Sequence, residues 1–148
     1  MKNTAFALLL LIFGLLFSAN TRIHTEGADH LAVGGNDVTT YFEDNGPLPG
    51  KKEYAVSYQG AKWLFASEKN KEKFEKNPER YIPAYGGYCV WAISNNRLVP
   101  GEPHLWYIYE NKLYLLCSED ALSNWLEDPV FHNQRADKNW PELIKKGS

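Results

Sequence analysis

Methionine is missing beyond Met1, and cysteine occurs only at Cys89 and Cys117. The first absence removes the thioether ligands common in exported copper(I) sites. The second excludes a multi-disulfide scaffold, a four-cysteine zinc site and a paired-cysteine redox motif. The four histidines, His24, His30, His104 and His132, have no histidine or cysteine partner at finger-like spacing. Positive charge is not in excess either. Lysines and arginines number 16 against 18 acidic residues, and many lysines alternate with glutamates. That balance argues against a nucleic-acid surface. No phosphate-cradling glycine loop, dinucleotide fingerprint or nucleophile elbow occurs. Glu43 and Asp44 are neighbours in a polar stretch, so they read as solvated and not as a catalytic carboxylate pair. After Phe17 there is no long apolar run, and so no second candidate membrane span.

The one long apolar run lies at the start. Met1 and Lys2 form a short basic opening, Ala5 to Phe17 is almost continuously apolar, and Ser18, Ala19 and Asn20 are small or polar. This pattern reads as a secretory signal peptide over 1–19, although Phe17 departs from the small residue preferred three places before the cut. It predicts an exported, periplasmic or extracellular protein. A polar, flexible leader follows over 20–30, and then one domain over 31–144, long enough to bury a real core.

Within that domain, hydrophobic periodicity predicts two rounds of β-hairpin followed by helix, without an internal repeat in residue identity. Leu31 to Val33 reads as a short strand, and Gly34 to Asn36 as a turn. Val38 to Phe42 is short and β-prone, and Asn45 to Lys51 reads as a surface loop. Tyr54, Val56 and Tyr58 alternate, Gln59 and Gly60 turn the chain, and Trp63 to Phe65 return. Ser67 then caps a helix over 68–76, with Phe74 facing the core. Asn77 and Pro78 start a second, short helix. Val90 to Ile93 fits a strand or a helical turn. Trp106 and Ile108 pair with Leu113 to Leu116 across Glu110 and Asn111. Ser118 caps a helix to Glu127, Asp128 and Pro129 restart the chain, and a last helical segment runs over 135–140. The fold class that follows is α+β: a small antiparallel sheet of hairpins with helices packed against it.

The densest run is Pro83 to Ala92, where Gly86 and Gly87 stand between Tyr85 and Tyr88, before Cys89 and Trp91. Adjacent glycines carry an entropic cost that is offset where the backbone needs a special shape or a close approach. Tyr85, Gly86, Gly87, Tyr88 and Trp91 are therefore the candidate ligand-binding residues. A tight bend packed beneath aromatic side chains is the competing account. Cys89 is a candidate soft-metal ligand for copper or zinc, with His104 as the nearest plausible companion; a buried apolar cysteine is its alternative. Cys89 and Cys117 fit either one disulfide or a buried thiol with a second, separate thiol. Asp37, in a glycine-rich turn, reads as an acceptor for backbone amides.

Several short pieces, in order, resemble the YHS domain: Gly35-Asn36-Asp37 with Tyr41-Phe42, Tyr58-Gln59-Gly60, Phe65-Ala66-Ser67, Asn70, Phe74, Pro78 and Tyr81. The continuation, Tyr85 to Cys89, Trp106, Lys112-Leu113-Tyr114, Ala136-Asp137 and Trp140-Pro141, is similar to exported single-domain YHS proteins of bacteria. The resemblance spans roughly residues 31–143. It implies an association with metal handling. The chain has no cysteine over 63–74, so the family's metal-ligand set does not carry over. Cys89 matches a characteristic cysteine of the exported subgroup, Val38 replaces its usual proline, and Cys117 stands where an aromatic is usual. Together these observations predict a monomeric, non-enzymatic exported protein that binds a transition metal. The alternative is a small-molecule or protein-interaction module built on the aromatic-glycine loop, with no nucleic-acid partner and no membrane contact beyond the signal segment.

Overall fold

The computed structural model describes residues 22–44 and 46–147. The signal peptide expected over 1–19 lies outside them. The chain runs through β1 (Thr25–Glu26), β2 (Leu31–Ala32), β3 (Asn36–Asp37), β4 (Leu48–Pro49), β5 (Lys51–Tyr58), β6 (Ala61–Phe65), α1 (Glu68–Lys76) and α2 (Pro78–Tyr81). It continues through α3 (Val90–Ser94), β7 (Glu102–Tyr109), β8 (Lys112–Leu116), α4 (Glu119–Glu127) and α5 (Pro129–Lys146). The class is α+β. One sheet has the order β1-β2-β6-β5, antiparallel except for β2 against β6, and two further ribbons pair β3 with β4 and β7 with β8. Where one antiparallel sheet was expected, the strands thus divide into three small sheets.

Both predicted hairpin-and-helix rounds form, and their geometry repeats. β5 and β7 each have 8 residues, β6 and β8 each have 5, and α1 and α4 each have 9. The ladder slips at the same place in both hairpins, between Lys51 and Ala55 and between Glu102 and Trp106. Ser67 Oγ accepts the Asn70 amide at 3.2 Å, and Ser118 Oγ accepts the Ala121 amide at 3.0 Å, each capping its helix. Pro78 and Pro129 open the next helix in each round. The left-handed run Val33-Gly34-Gly35 before the first round matches Tyr85-Gly86-Gly87 before the second. Gly50 N–H donates to the Gly35 carbonyl at 2.9 Å, as Gly101 N–H does to the Gly87 carbonyl at 3.0 Å. Residue identity hides this repeat because few side chains are shared at equivalent positions.

The core forms two clusters, the first of which also takes Leu113 and Leu115 from β8. The first gathers Tyr41, Trp63, Phe65, Phe74 and Ile82; the second gathers Cys89, Val90, Ile93, Leu116 and Trp125. Tyr41 links the rounds by donating its hydroxyl to the Pro103 carbonyl at 2.8 Å. Helix α5 is locked onto α3 by Arg135 Nε, which donates to the Ser94 carbonyl, and by Asn139 Nδ2, which donates to the Ile93 carbonyl.

Several expectations change. Val38–Phe42 is a 3₁₀ helix and not a strand. Asp37 accepts the Thr39 amide at 2.9 Å and so starts a helical turn that β propensity opposes. Part of the expected 45–51 loop is strand, since Leu48–Pro49 pairs with Asn36–Asp37 and Lys51 begins β5. The flexible leader expected over 20–30 is, at its described residues, tied into the fold. β1 pairs with β2, His24 N–H donates to the Gly86 carbonyl at 2.9 Å, and Arg22 Nε donates to Tyr88 Oη at 3.1 Å. Val90 to Ile93 takes the helical alternative. The last helix, expected over 135–140, runs from Pro129 to Lys146 and passes through Pro141. Among the described residues, no helix is long and apolar enough to cross a membrane.

Candidate ligand-binding cleft

The Tyr85–Gly87 bend is held from both sides. Tyr85 adopts φ 55°, a left-handed conformation that side-chain-bearing residues seldom take. Its hydroxyl donates to Asp137 Oδ1 at 2.7 Å, and its ring meets Trp140 edge-on at 5.6 Å. Gly86 is required by a close backbone approach: a Cβ there would collide with the Arg22 carbonyl oxygen. The neighbour that presses on this glycine is therefore the protein's own N-terminal segment. Gly87 is buried, and Tyr88 lies beneath the bend against His24 and Trp140.

Beside the bend opens a cleft of about 410 Å³, lined by Tyr85, Tyr114, Trp140, Asp137, Glu79 and Lys112 together with the Ile82–Ala84 segment. Such a volume lies in the range of small-molecule sites. The bend, β8 and α5 supply its rings, and α2 adds Glu79. Helix α5 brings Asp137 and Trp140 to the same face because they are three residues apart. Burial raises the Tyr85 hydroxyl pKa far above its ordinary value, with further contributions from the hydrogen bond to Asp137 and from its charge. Burial also raises that of Tyr114, as do the charges of Asp137 and Glu110. Both phenols are therefore neutral hydrogen-bonding groups at physiological pH.

Of the five candidate ligand-binding residues, Tyr85 lines this cleft. Gly86 and Gly87 shape its edge from within the structure. Tyr88 packs behind it, and Trp91 on α3 lies under the Arg97 guanidinium at 5.8 Å from the ring centre. Tyr114, Asp137, Trp140, Lys112 and Glu79 were not among the candidates. A sequence signal for some of them existed: Lys112-Leu113-Tyr114, Ala136-Asp137 and Trp140-Pro141 belong to the segments that resemble the exported YHS proteins. A second cleft, of about 470 Å³, lies at the Tyr58–Lys62 turn with Asp29 and His30, and no cluster of aromatic rings lines it.

The two candidate metal ligands are differently placed. Cys89 is fully buried, whereas His104 is exposed on β7. Among the described residues, no group of three or more His, Cys, Asp and Glu side chains is placed to hold a metal ion. The partner that the structure gives Cys89 is Cys117, whose backbone N–H donates to Cys89 Sγ at 3.1 Å. Both cysteines are free thiols. Burial, followed by the hydrogen bond with the Cys117 side chain, pushes the Cys89 thiol up to about 12. That direction is opposite to the one a nucleophilic thiolate needs. Another pair sits at α3, where Ser94 Oγ lies 3.1 Å from His132 Nδ1. Ser94 is fully buried and donates its hydroxyl proton to the Trp91 carbonyl at 2.7 Å, so His132 Nδ1 is the donor to it. This arrangement anchors α5 and does not activate a nucleophile.

The thiols give a direct test. At pH 8, iodoacetamide should modify half-buried Cys117 in the folded protein and spare Cys89, with both reacting in denaturant. Mass spectrometry of the alkylated peptides reads this out, and native modification of Cys89 would contradict its burial. The raised pKa also sets a pH dependence. The unfolded chain loses this proton first, near the ordinary thiol value of 9.0. The stabilisation is thus complete below pH 9 and is lost as pH rises towards about 12. Cys89→Ala should flatten that part of the alkaline stability profile.

Residues 39–85 match the YHS domain family. Comparison with curated proteins and with solved structures finds no match. The matched segment ends at Tyr85, so it covers the first hairpin-and-helix round and stops at the edge of the cleft.

Proposed function

We propose, proceeding from the YHS match over 39–85, that this protein is an exported, non-enzymatic YHS-type binding protein of the single-domain bacterial kind. Its ligand is a small organic molecule, held in the cleft beside the Tyr85 bend. One observation carries this reading. Three aromatic rings and three charged side chains, drawn from separate parts of the chain, converge on one concave surface. The basic opening and the apolar run from Ala5 to Phe17 support export.

Transition-metal binding is the second reading, favoured by the approach of Cys117 to the Cys89 sulfur. Two sulfurs fall short of the four donors of a structural zinc site. They suit a soft ion such as copper(I), which would have to displace the buried Cys89 proton. Native mass spectrometry with metal analysis, on protein taken from its own compartment, separates the readings. The expected result is metal-free protein carrying one small organic mass, absent from Trp140→Leu protein that remains folded. Copper retained in that variant but lost from Cys89→Ser would overturn the organic-ligand reading in favour of the thiol site.

A further inference from the structure

We infer that the cleft selects a small organic cation, a substituted ammonium compound, with the ammonium group set against the rings of Tyr85, Tyr114 and Trp140 and beside the Asp137 carboxylate. This rests on the reading of the cleft as the ligand site. The rings form the first part of the argument. Aromatic faces carry negative charge density, and several rings around one space are the usual means of holding an alkylated ammonium group. Here Tyr85 and Trp140 are fixed edge-to-face, and Tyr114 is backed by Trp125 at 5.1 Å. The cleft walls are therefore preset before a ligand enters.

Charge is the second part. The lining holds two carboxylates, Asp137 and Glu79, against one ammonium, Lys112. Neither carboxylate forms an ion pair with a lysine or arginine among the described residues. Asp137 Oδ1 is occupied by the Tyr85 hydroxyl, whereas Glu79 Oε1 takes Tyr58 Oη and Gln59 Nε2 at 3.2 and 3.3 Å. Each carboxylate therefore keeps its second oxygen for a ligand, and Asp137 is the one fixed beside the Tyr85 and Trp140 rings. Burial is the main cause of the upward shift of the Tyr85 and Tyr114 hydroxyls, and the charge of Asp137 adds to both. An anionic ligand would meet this charge and find one counter-charge. A neutral ligand would gain the rings and leave Asp137 unused.

The test uses three probes of matched shape: choline, its neutral isostere 3,3-dimethyl-1-butanol, and the anion 3,3-dimethylbutanoate. Binding to the full chain is followed by NMR at the Trp140 indole N–H, which Trp140→Leu assigns. Choline should shift that signal saturably, with an affinity at least about tenfold above the neutral isostere, and the anion should leave it unmoved. Asp137→Asn keeps an acceptor for the Tyr85 hydroxyl, and should weaken choline about tenfold while leaving the isostere unchanged. A thermal melt confirms that each variant is folded. Equal binding of choline and its isostere at Trp140, or indifference of choline to Asp137→Asn, overturns the cation selectivity and leaves the cleft reading standing. No shift at Trp140 with any probe overturns both.

Discussion

Asp37→Ala should cost about 3–5 kcal/mol, enough to remove most of the stability of a domain this size. Asp37 is fully buried, and its carboxylate is surrounded by donors. Oδ1 accepts the Thr39 amide at 2.9 Å and the Thr39 hydroxyl at 2.7 Å. Oδ2 accepts the Ala66 amide and Asn70 Nδ2, both at 2.8 Å. One side chain thus joins the 3₁₀ helix Val38–Phe42, the end of β6 and the first turn of α1. Alanine would leave those donors without their acceptor, and each buried donor left unpaired costs about 1–3 kcal/mol. Asp37→Asn should be little better, since its amide N–H₂ would face other donors. The repeat supplies an internal control. Cys89 holds the equivalent position in the second round, where a thiol sulfur, a much weaker acceptor than a carboxylate, takes the backbone amides of Cys117 and Ala92. Cys89→Ala should therefore cost less, about 1–2 kcal/mol. Urea unfolding midpoints measure both. A loss below about 1 kcal/mol for Asp37→Ala would mean that water replaces the carboxylate.

Trp125→Ala should be comparably damaging, at about 3–5 kcal/mol. The indole is fully buried on α4 and donates Nε1–H to Asn133 Oδ1 at 3.0 Å. Around it stand Tyr107, Tyr109 and Tyr114, with ring centres at 5.8, 5.9 and 5.1 Å. Its loss would open a cavity between the β7–β8 ribbon and α4 that rigid strands cannot fully close. The effect should reach the cleft, because Tyr114 lines it and packs against Trp125. Trp125→Phe keeps a ring in place and gives up the hydrogen bond, so it should cost about 1–2 kcal/mol and leave the cleft intact. Thermal unfolding and Trp140 indole shifts, recorded together, separate these outcomes. A large stability loss in Trp125→Ala with an unperturbed cleft would show that Tyr114 holds its position without the indole behind it.

The hairpins, and the helices capped by Ser67 and Ser118, were readable in the residue order because their signals are local. Alternation sets a strand, a serine oxygen takes an amide three residues on, and proline opens the next helical segment. The acceptor role of Asp37 was also readable, since its turn asks for one, whereas its burial and its bonds to Ala66 and Asn70 came with the fold. Other features depended on partners far away in the chain. Val38–Phe42 coils because Asp37 supplies a cap, although its residues favour strand. Residues 22–26 look like a loose leader until Gly86 offers them a carbonyl and a surface with no Cβ. The repeat of the two rounds lies in backbone shape, in the matched left-handed runs and slipped ladders, and few side chains mark it.

The Tyr85–Gly87 run shows the same division. Its residues alone determined a bend, because paired glycines and left-handed backbone go together. Tertiary structure decided what that bend serves. It set the N-terminal segment on Gly86, turned Tyr88 and Cys89 inward, and brought Tyr114, Asp137 and Trp140 alongside Tyr85. Local conformational preference acts over a few residues and is written in their order. A cleft consists of surfaces that meet only when separate elements pack, so its composition depends on the packing of β8 and α5 against the bend.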